Sequence, residues 1–150
     1  MAKFNFRLAP ILRIKEKVED LKKNEFGKAI VELEGERTRL AALEGDRTAC
    51  IQSFRASLNK GVAPDEIRQH NIYLDKLKVL IKQQHIVIAR AEEKVEQKRK
   101  ELVEAMRDRK ALDVLKENER LEFLEEEKRS EQKSVDEIVS YKVASKVTKV

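Results

Sequence analysis

The sequence predicts an all-α fold: a long antiparallel two-helix coiled-coil hairpin with an overhanging C-terminal helix segment. Three observations predict it. Apolar residues recur every seven positions without a miss at Ile67, Leu74, Ile81, Ile88, Val95 and Leu102, the period of a helix that keeps one seam against a partner. Turn chemistry interrupts the chain near residue 60. From Asp65 onward there is no Pro or Gly, so nothing in the backbone stops the second helix. The companion seam positions are Leu77, Gln84, Ala91, Lys98 and Ala105. Residues so small or polar make the seam narrow.

Taken from the N-terminus, residues 1–9 lack helical phasing and are expected to fray or to be held by a partner. Pro10 suits the first turn of a helix, where its missing N–H costs nothing. Ile11, Ile14, Val18 and Leu21 follow at 3-4-3 spacing. The seam is then expected to slip near residues 22–26. It resumes as Phe26, Ile30, Leu33, Arg37, Leu40, Glu44, Arg47, Ile51, Phe54 and Leu58. The charged members hold a partner weakly, with Arg37 and Arg47 burying their stems and keeping their heads in water. Gly27, Gly35 and Gly45 lie inside this helix, each costing about 1 kcal/mol relative to alanine. They serve either close packing and simple tolerance in a long coil, or a helix able to bend under load.

Lys60 suits the negative end of a helix and Gly61 the left-handed residue that closes one. Pro64, Asp65 and Glu66 give the proline-first, acidic opening of the next. Helix 1 is therefore placed at about 10–59, the turn at about 60–64 and helix 2 at about 65–140, in one coiled-coil domain with flexible termini. A link this short forces an antiparallel pair. A turn centred near Val62 sets Leu58 opposite Ile67, Ile51 opposite Leu74 and Ile30 opposite Val95. At ~1.5 Å per residue helix 2 spans roughly 110 Å and helix 1 roughly 75 Å, which leaves the last 25 or so residues without a partner in the chain. There Arg109 and Lys116 fall on the seam, and a weaker stripe appears at Val114, Leu121, Leu124, Val135 and Ile138. Such a helix either frays or awaits another protein.

Composition narrows the function classes. Charged residues make up 41% of the 150, with four Gly, two Pro and no Trp, which leaves little for a compact globule. Hydrophobic residues, also 41% and at helical spacing, argue against disorder. No stretch approaches the ~18 apolar residues of a membrane span. The opening residues lack a signal peptide's apolar run. A single cysteine, Cys50, forms no internal disulfide and no paired-cysteine metal site. The chain is expected to be cytoplasmic and reduced. Charge is sorted: residues 111–137 carry ten acids against five bases, and residues 1–30 eight bases against four acids.

No phosphate-binding glycine loop, nucleophile elbow or HExxH motif is present. His70 and His85 are roughly 20 Å or more apart on one helix, too far to share a metal, and are expected to be solvent-exposed. Cys50 is expected to be a small buried hydrophobe. No catalytic residues, cofactor or metal are expected, and the chain is not expected to be an enzyme. The net charge of +5 invites a nucleic-acid reading. The longest basic cluster, Lys98-Arg99-Lys100, is met at once by Glu101, and no aromatics are interleaved with it. A solvated, charged face accounts for it better.

Phe4-x-Phe6-x-Leu8 leading into Ile11-Leu12-Arg13, the stretch Phe54-Arg55-Ala56-Ser57-Leu58, and Glu131-Gln132-Lys133-Ser134-Val135-Asp136-Glu137 together resemble the FliJ family. These are coiled-coil components of the flagellar type III export apparatus, similar in shape to the γ-subunit coiled coil of rotary ATP synthases. The resemblance implies a stalk in the export ATPase ring that promotes its assembly and activity. It also implies contact with the export-gate membrane protein FlhA and with export chaperones after cargo release. The protein would act as a monomer, cytoplasmic and peripheral to the inner-membrane apparatus, with no membrane insertion and no nucleic-acid partner. The gate-binding residues so implied are Phe54, Tyr73, Leu77, Leu80 and Gln84. Tyr73, Leu77, Leu80 and Gln84 share one helical stripe, although Leu77 and Gln84 also serve the intramolecular seam. The ATPase-binding residues so implied are Arg13, Leu121, Leu124, Gln132, Lys133, Val135, Asp136, Glu137 and Ile138. The competing reading is a generic structural coiled-coil adaptor unrelated to secretion.

Overall fold

A computed structural model describes residues 2–148. Two long helices, α1 (Ala9–Leu58) and α2 (Pro64–Thr148), pack against each other, and no strand occurs among the described residues. The link closes as its residues dictate. Lys60 and Gly61 donate their backbone N–H groups to the carbonyls of Ser57 and Leu58, and Gly61 takes φ of 87°. Only glycine adopts that conformation without strain. Asp65 and Glu66 occupy the first turn of α2, at the positive end of its dipole.

The chain falls into two compact units: a turn unit, Asp20–Glu104, and a terminal unit drawn from the chain up to Glu19 and from Ala105 onward. In the turn unit α2 presents the expected seam from Leu74 onward, while Ile67, its expected first member beside the turn, is exposed. Leu77, Ile81, Gln84 and Ile88 are buried, and Leu74, Ala91, Val95, Lys98 and Leu102 are half-buried. Opposite them Ala29 and Leu33 are buried, with Phe26, Glu36, Leu40, Leu43, Cys50 and Ile51 half-buried. Lys98 meets Glu25, Lys94 meets Glu32, Gln84 meets Glu36 and His70 meets Cys50, the register of a turn centred near residue 62.

α1 corrects the sequence reading. Its seam does not slip near residues 22–26. It runs one residue later from the start: Leu12, Lys15, Glu19 and Lys22 face inward, while Ile11, Ile14, Val18 and Leu21 are exposed. Further along, Ala29, Glu36 and Leu43 take the inner positions expected for Ile30, Arg37 and Glu44, which are exposed, as are Arg47 and Leu58. The physical reason is continuity. The inward row keeps one 3-4 register into Phe26, Ala29 and Leu33, and opposite charges on α2 compensate its charged members. Lys15 lies 3.8 Å from Asp108, Glu19 accepts a hydrogen bond from Arg109, and Lys22 lies 3.4 Å from Glu101.

The terminal unit holds the residues before the first helix. Phe6 is buried and the ring of Phe4 packs on Phe123, centroids 5.6 Å apart. The N-terminal segment therefore caps α2 of its own chain. Beyond it α2 stays helical to Thr148, past the end expected near residue 140. From Lys128 to Thr148 every residue except Ser145 is exposed. Gly27, Gly35 and Gly45 open onto free space: a Cβ at any of them meets nothing within 4 Å. Close packing does not explain them.

Candidate functional site

The turn unit divides the expected gate-binding set. Leu77 is 3% exposed and sits in the seam. Gln84 is buried beside it, its amide donating to the Glu36 carbonyl at 2.9 Å and to the Glu36 carboxylate at 2.5 Å. Phe54 is half-buried and stacks flat on His70, centroids 3.8 Å apart and planes 8° apart. Tyr73 and Leu80 are 47% and 46% exposed. A stripe at i, i+4, i+7 and i+11 is wider than one seam row, so two of its members turn inward and two outward. The outward pair has neighbours that the sequence reading missed. Ile72 and Val79 are exposed, and with Leu80, Asp75, Lys76 and Gln83 they line one open apolar groove.

His70 is not the exposed histidine expected from sequence. It is half-buried, with Nδ1 3.4 Å from the Cys50 sulfur and Phe54 on its face. Cys50 is likewise half-buried, in an open cleft with Ser53, Ser57, Val62 and Glu66. His85 is exposed.

The expected ATPase-binding set lies wholly within the terminal unit. Arg13, Leu121, Leu124, Gln132, Lys133, Val135, Asp136, Glu137 and Ile138 are all exposed. The Gln132 amide donates to Asp136 at 3.4 Å. Lys133 and Glu137 have the spacing of an i, i+4 ion pair but do not form one among the described residues. Both charges are open to a partner. Two groups escaped the sequence reading. Ile11, Ile14 and Val18, which the sequence pattern places in the seam, are exposed. Tyr141, Val143 and Val147, all exposed, lie beyond the expected helix end. With Ser134, Glu137, Ile138 and Lys142, Tyr141 lines a shallow depression on α2.

Electrostatics concentrate in the turn unit, where Lys22, Glu25, Lys98 and Glu101 form a four-membered cluster at 3.3–3.4 Å. The hydrogen bond from Lys98 holds the Glu25 carboxyl below its usual range against the opposing effect of burial, and Lys22 adds to it. The same bond raises the Lys98 ammonium. Burial pushes Glu101 up, but hydrogen bonds from Gln97 and Lys22 and the two lysine charges outweigh it, so it too lies low. These groups fasten the two helices. They are not poised for proton transfer. Among the described residues no three His, Cys, Asp or Glu side chains are grouped to hold a metal.

The family model for the flagellar FliJ protein matches residues 4–148. The chain belongs to the FliJ family. It is thus a component of flagellar, type III export, and the FliJ family is one of non-catalytic adaptors. The resemblance carried by residues 4–13, 54–58 and 131–137 therefore holds over nearly the whole chain. A solved structure of a putative YscO homolog from Chlamydia trachomatis is 21% identical, with a TM-score of 0.46, covering 91% of this chain and 93% of that one. A comparison with curated proteins finds no match. Among the described residues no helix is long and apolar enough to cross a membrane.

Proposed function

We propose that this FliJ-family chain is the stalk adaptor of its export apparatus. Its terminal unit engages the export ATPase ring, its turn unit meets the export gate FlhA, and it receives export chaperones after cargo release. It works as a monomer in the cytoplasm, peripheral to the inner-membrane apparatus. One observation carries the reading: Lys128–Thr148 is helical yet exposed, with Val135, Ile138 and Tyr141 uncovered. A charged helix with an apolar row and no partner gains stability only when a partner covers that row. Gln132, Lys133, Asp136 and Glu137 interleave with the row, and charges so placed set register and encounter rate inside a ring more than affinity. On the turn unit the gate contact rests on Tyr73 and Leu80, an aromatic and an aliphatic anchor two turns apart on one face.

Cutting the chain after Lys128 tests the stalk assignment. The cut spares the Phe4–Phe123 contact, so the shortened protein keeps its thermal midpoint but loses stimulation of the export ATPase. Full stimulation by the shortened chain would overturn it.

A further inference from the structure

The turn unit carries a second heptad row that the seam does not use. Ile72, Val79 and Ile86 recur at intervals of seven and are 55%, 54% and 50% exposed. At 100° per residue they point almost directly away from the buried row of Leu77, Ile81, Gln84 and Ile88, and they form a straight ridge about 21 Å long. Basic side chains flank the ridge on both sides: Arg68 and Lys82 on one, Lys76 and Arg90 on the other. Residues 67–90 hold five lysines and arginines and one acid, Asp75. None of the five makes an ion pair among the described residues, whereas Lys22, Lys94, Lys98 and Arg109 are all paired.

We propose that this ridge is a docking surface for an anionic lipid bilayer, on which α2 lies flat without crossing. Charge complementarity selects a negative partner, and geometry selects a plane over a helix. A partner helix needs two apolar rows alternating at three and four residues to form holes for its knobs. Here the alternate positions are Lys76, Gln83 and Arg90 on one side and Asp75, Lys82 and Ala89 on the other, so no apolar row at three-four spacing accompanies the first. Tyr73, Leu80 and Val87, offset by one residue, only widen the exposed apolar face. A bilayer needs an apolar face but no such holes. Apolar side chains enter the headgroup boundary, while long basic ones lie beside them and reach the phosphates. Ile72 and Val79 share their groove with Leu80, so the ridge adjoins the proposed gate contact, but vesicle binding is read without the gate and does not depend on that assignment.

The test is co-sedimentation of the full chain with phosphatidylcholine vesicles, with and without phosphatidylglycerol. The chain is expected to pellet only with the phosphatidylglycerol vesicles, and less at high salt. Lys76→Glu with Lys82→Glu should weaken binding roughly tenfold or more. Ile72→Ser, Val79→Ser and Ile86→Ser together should do the same at unchanged charge. All five side chains point outward, so circular dichroism should show unchanged helicity in both variants. Lys142→Glu with Lys146→Glu, in the basic tail of α2, should leave binding intact. Three results would overturn the proposal: no binding to phosphatidylglycerol vesicles, binding indifferent to the ridge variants, or loss with the tail variant alone. Ridge-dependent capture on immobilised polyglutamate, with none on vesicles, would also overturn it and assign the surface to an acidic protein.

Discussion

Glu19, 4% exposed, accepts a hydrogen bond from Arg109, which also donates to Asp113. An ion pair thus occupies a seam position of the terminal unit, and the apolar Ile14 and Val18 beside it remain in water. Here the orientation of α1 follows matched charges across the seam and leaves the most apolar row uncovered. The consequence is functional. The row displaced from the seam is the one available to another protein.

Removing Arg109 alone leaves a carboxylate buried without its partner, which costs more than replacing the pair with apolar groups of similar size. Arg109→Leu should therefore lower the thermal midpoint more than Arg109→Leu combined with Glu19→Leu. Thermal melts of both variants and of Glu19→Leu complete the cycle. Equal loss in the single and double variants would show that the pair does not orient α1.

The seam of α2 was legible because every seven-residue step carries an apolar side chain as far as residue 102, whereas the competing row Ile72, Val79 and Ile86 ends at Glu93. That of α1 was not. Ile11, Ile14, Val18 and Leu21 outscore Leu12, Lys15, Glu19 and Lys22 on hydrophobicity, and a one-strand pattern does not show that Asp108, Arg109 and Glu101 wait opposite. The turn was legible from Gly61 and Pro64, since few residues serve those backbone positions. The burial of Phe6 and the packing of Phe4 on Phe123 were not, because an aromatic in an unphased segment does not announce its distant partner. Of the candidate surfaces, the terminal set was read as exposed and is exposed. The turn-unit set mixed seam and surface, because spacings of three and four are shared by adjacent rows.

The charge cluster predicts a pH profile with two limbs. The Glu25 and Glu101 carboxyls titrate below the usual carboxylate range in the folded chain. Their contribution is present above the unfolded value and is lost as pH falls through the folded one. Lys98 titrates above the usual lysine range, so its contribution is present below the unfolded value and is lost as pH rises through the folded one. The urea midpoint should be flat between about pH 6 and pH 9 and fall on both sides. Because the cluster is solvated the change is modest. Lys98→Met should flatten part of the acid limb. An acid limb unchanged in that variant would mean that the stabilising carboxylates lie elsewhere.

Gly27→Ala, Gly35→Ala and Gly45→Ala should each stabilise the chain, by up to about 1 kcal/mol, since each added methyl group enters open space on a helix. Gly61→Ala should do the opposite, because φ of 87° is strained for any residue with a Cβ. Urea unfolding followed by circular dichroism reads all four. If the three helical variants are stabilised and ATPase stimulation falls, the glycines supply a bend that the working protein uses. Unchanged stimulation would mean that they are merely tolerated.

The division of the gate-binding set is tested by its two extremes. Leu77 is 3% exposed in the seam and Tyr73 is 47% exposed. Leu77→Ala opens a cavity between the helices and should cost about 2–4 kcal/mol. Tyr73→Ala removes a ring that faces solvent and should change stability by no more than about 0.5 kcal/mol. Binding to the purified cytoplasmic domain of the export gate should show the reverse order. Tyr73→Ala and Leu80→Ala lose affinity at full helicity, while Leu77→Ala binds as well as the parent at temperatures where it remains folded. A Leu77→Ala protein that is folded but fails to bind, beside a Tyr73→Ala protein that binds normally, would place the gate contact on an opened hairpin.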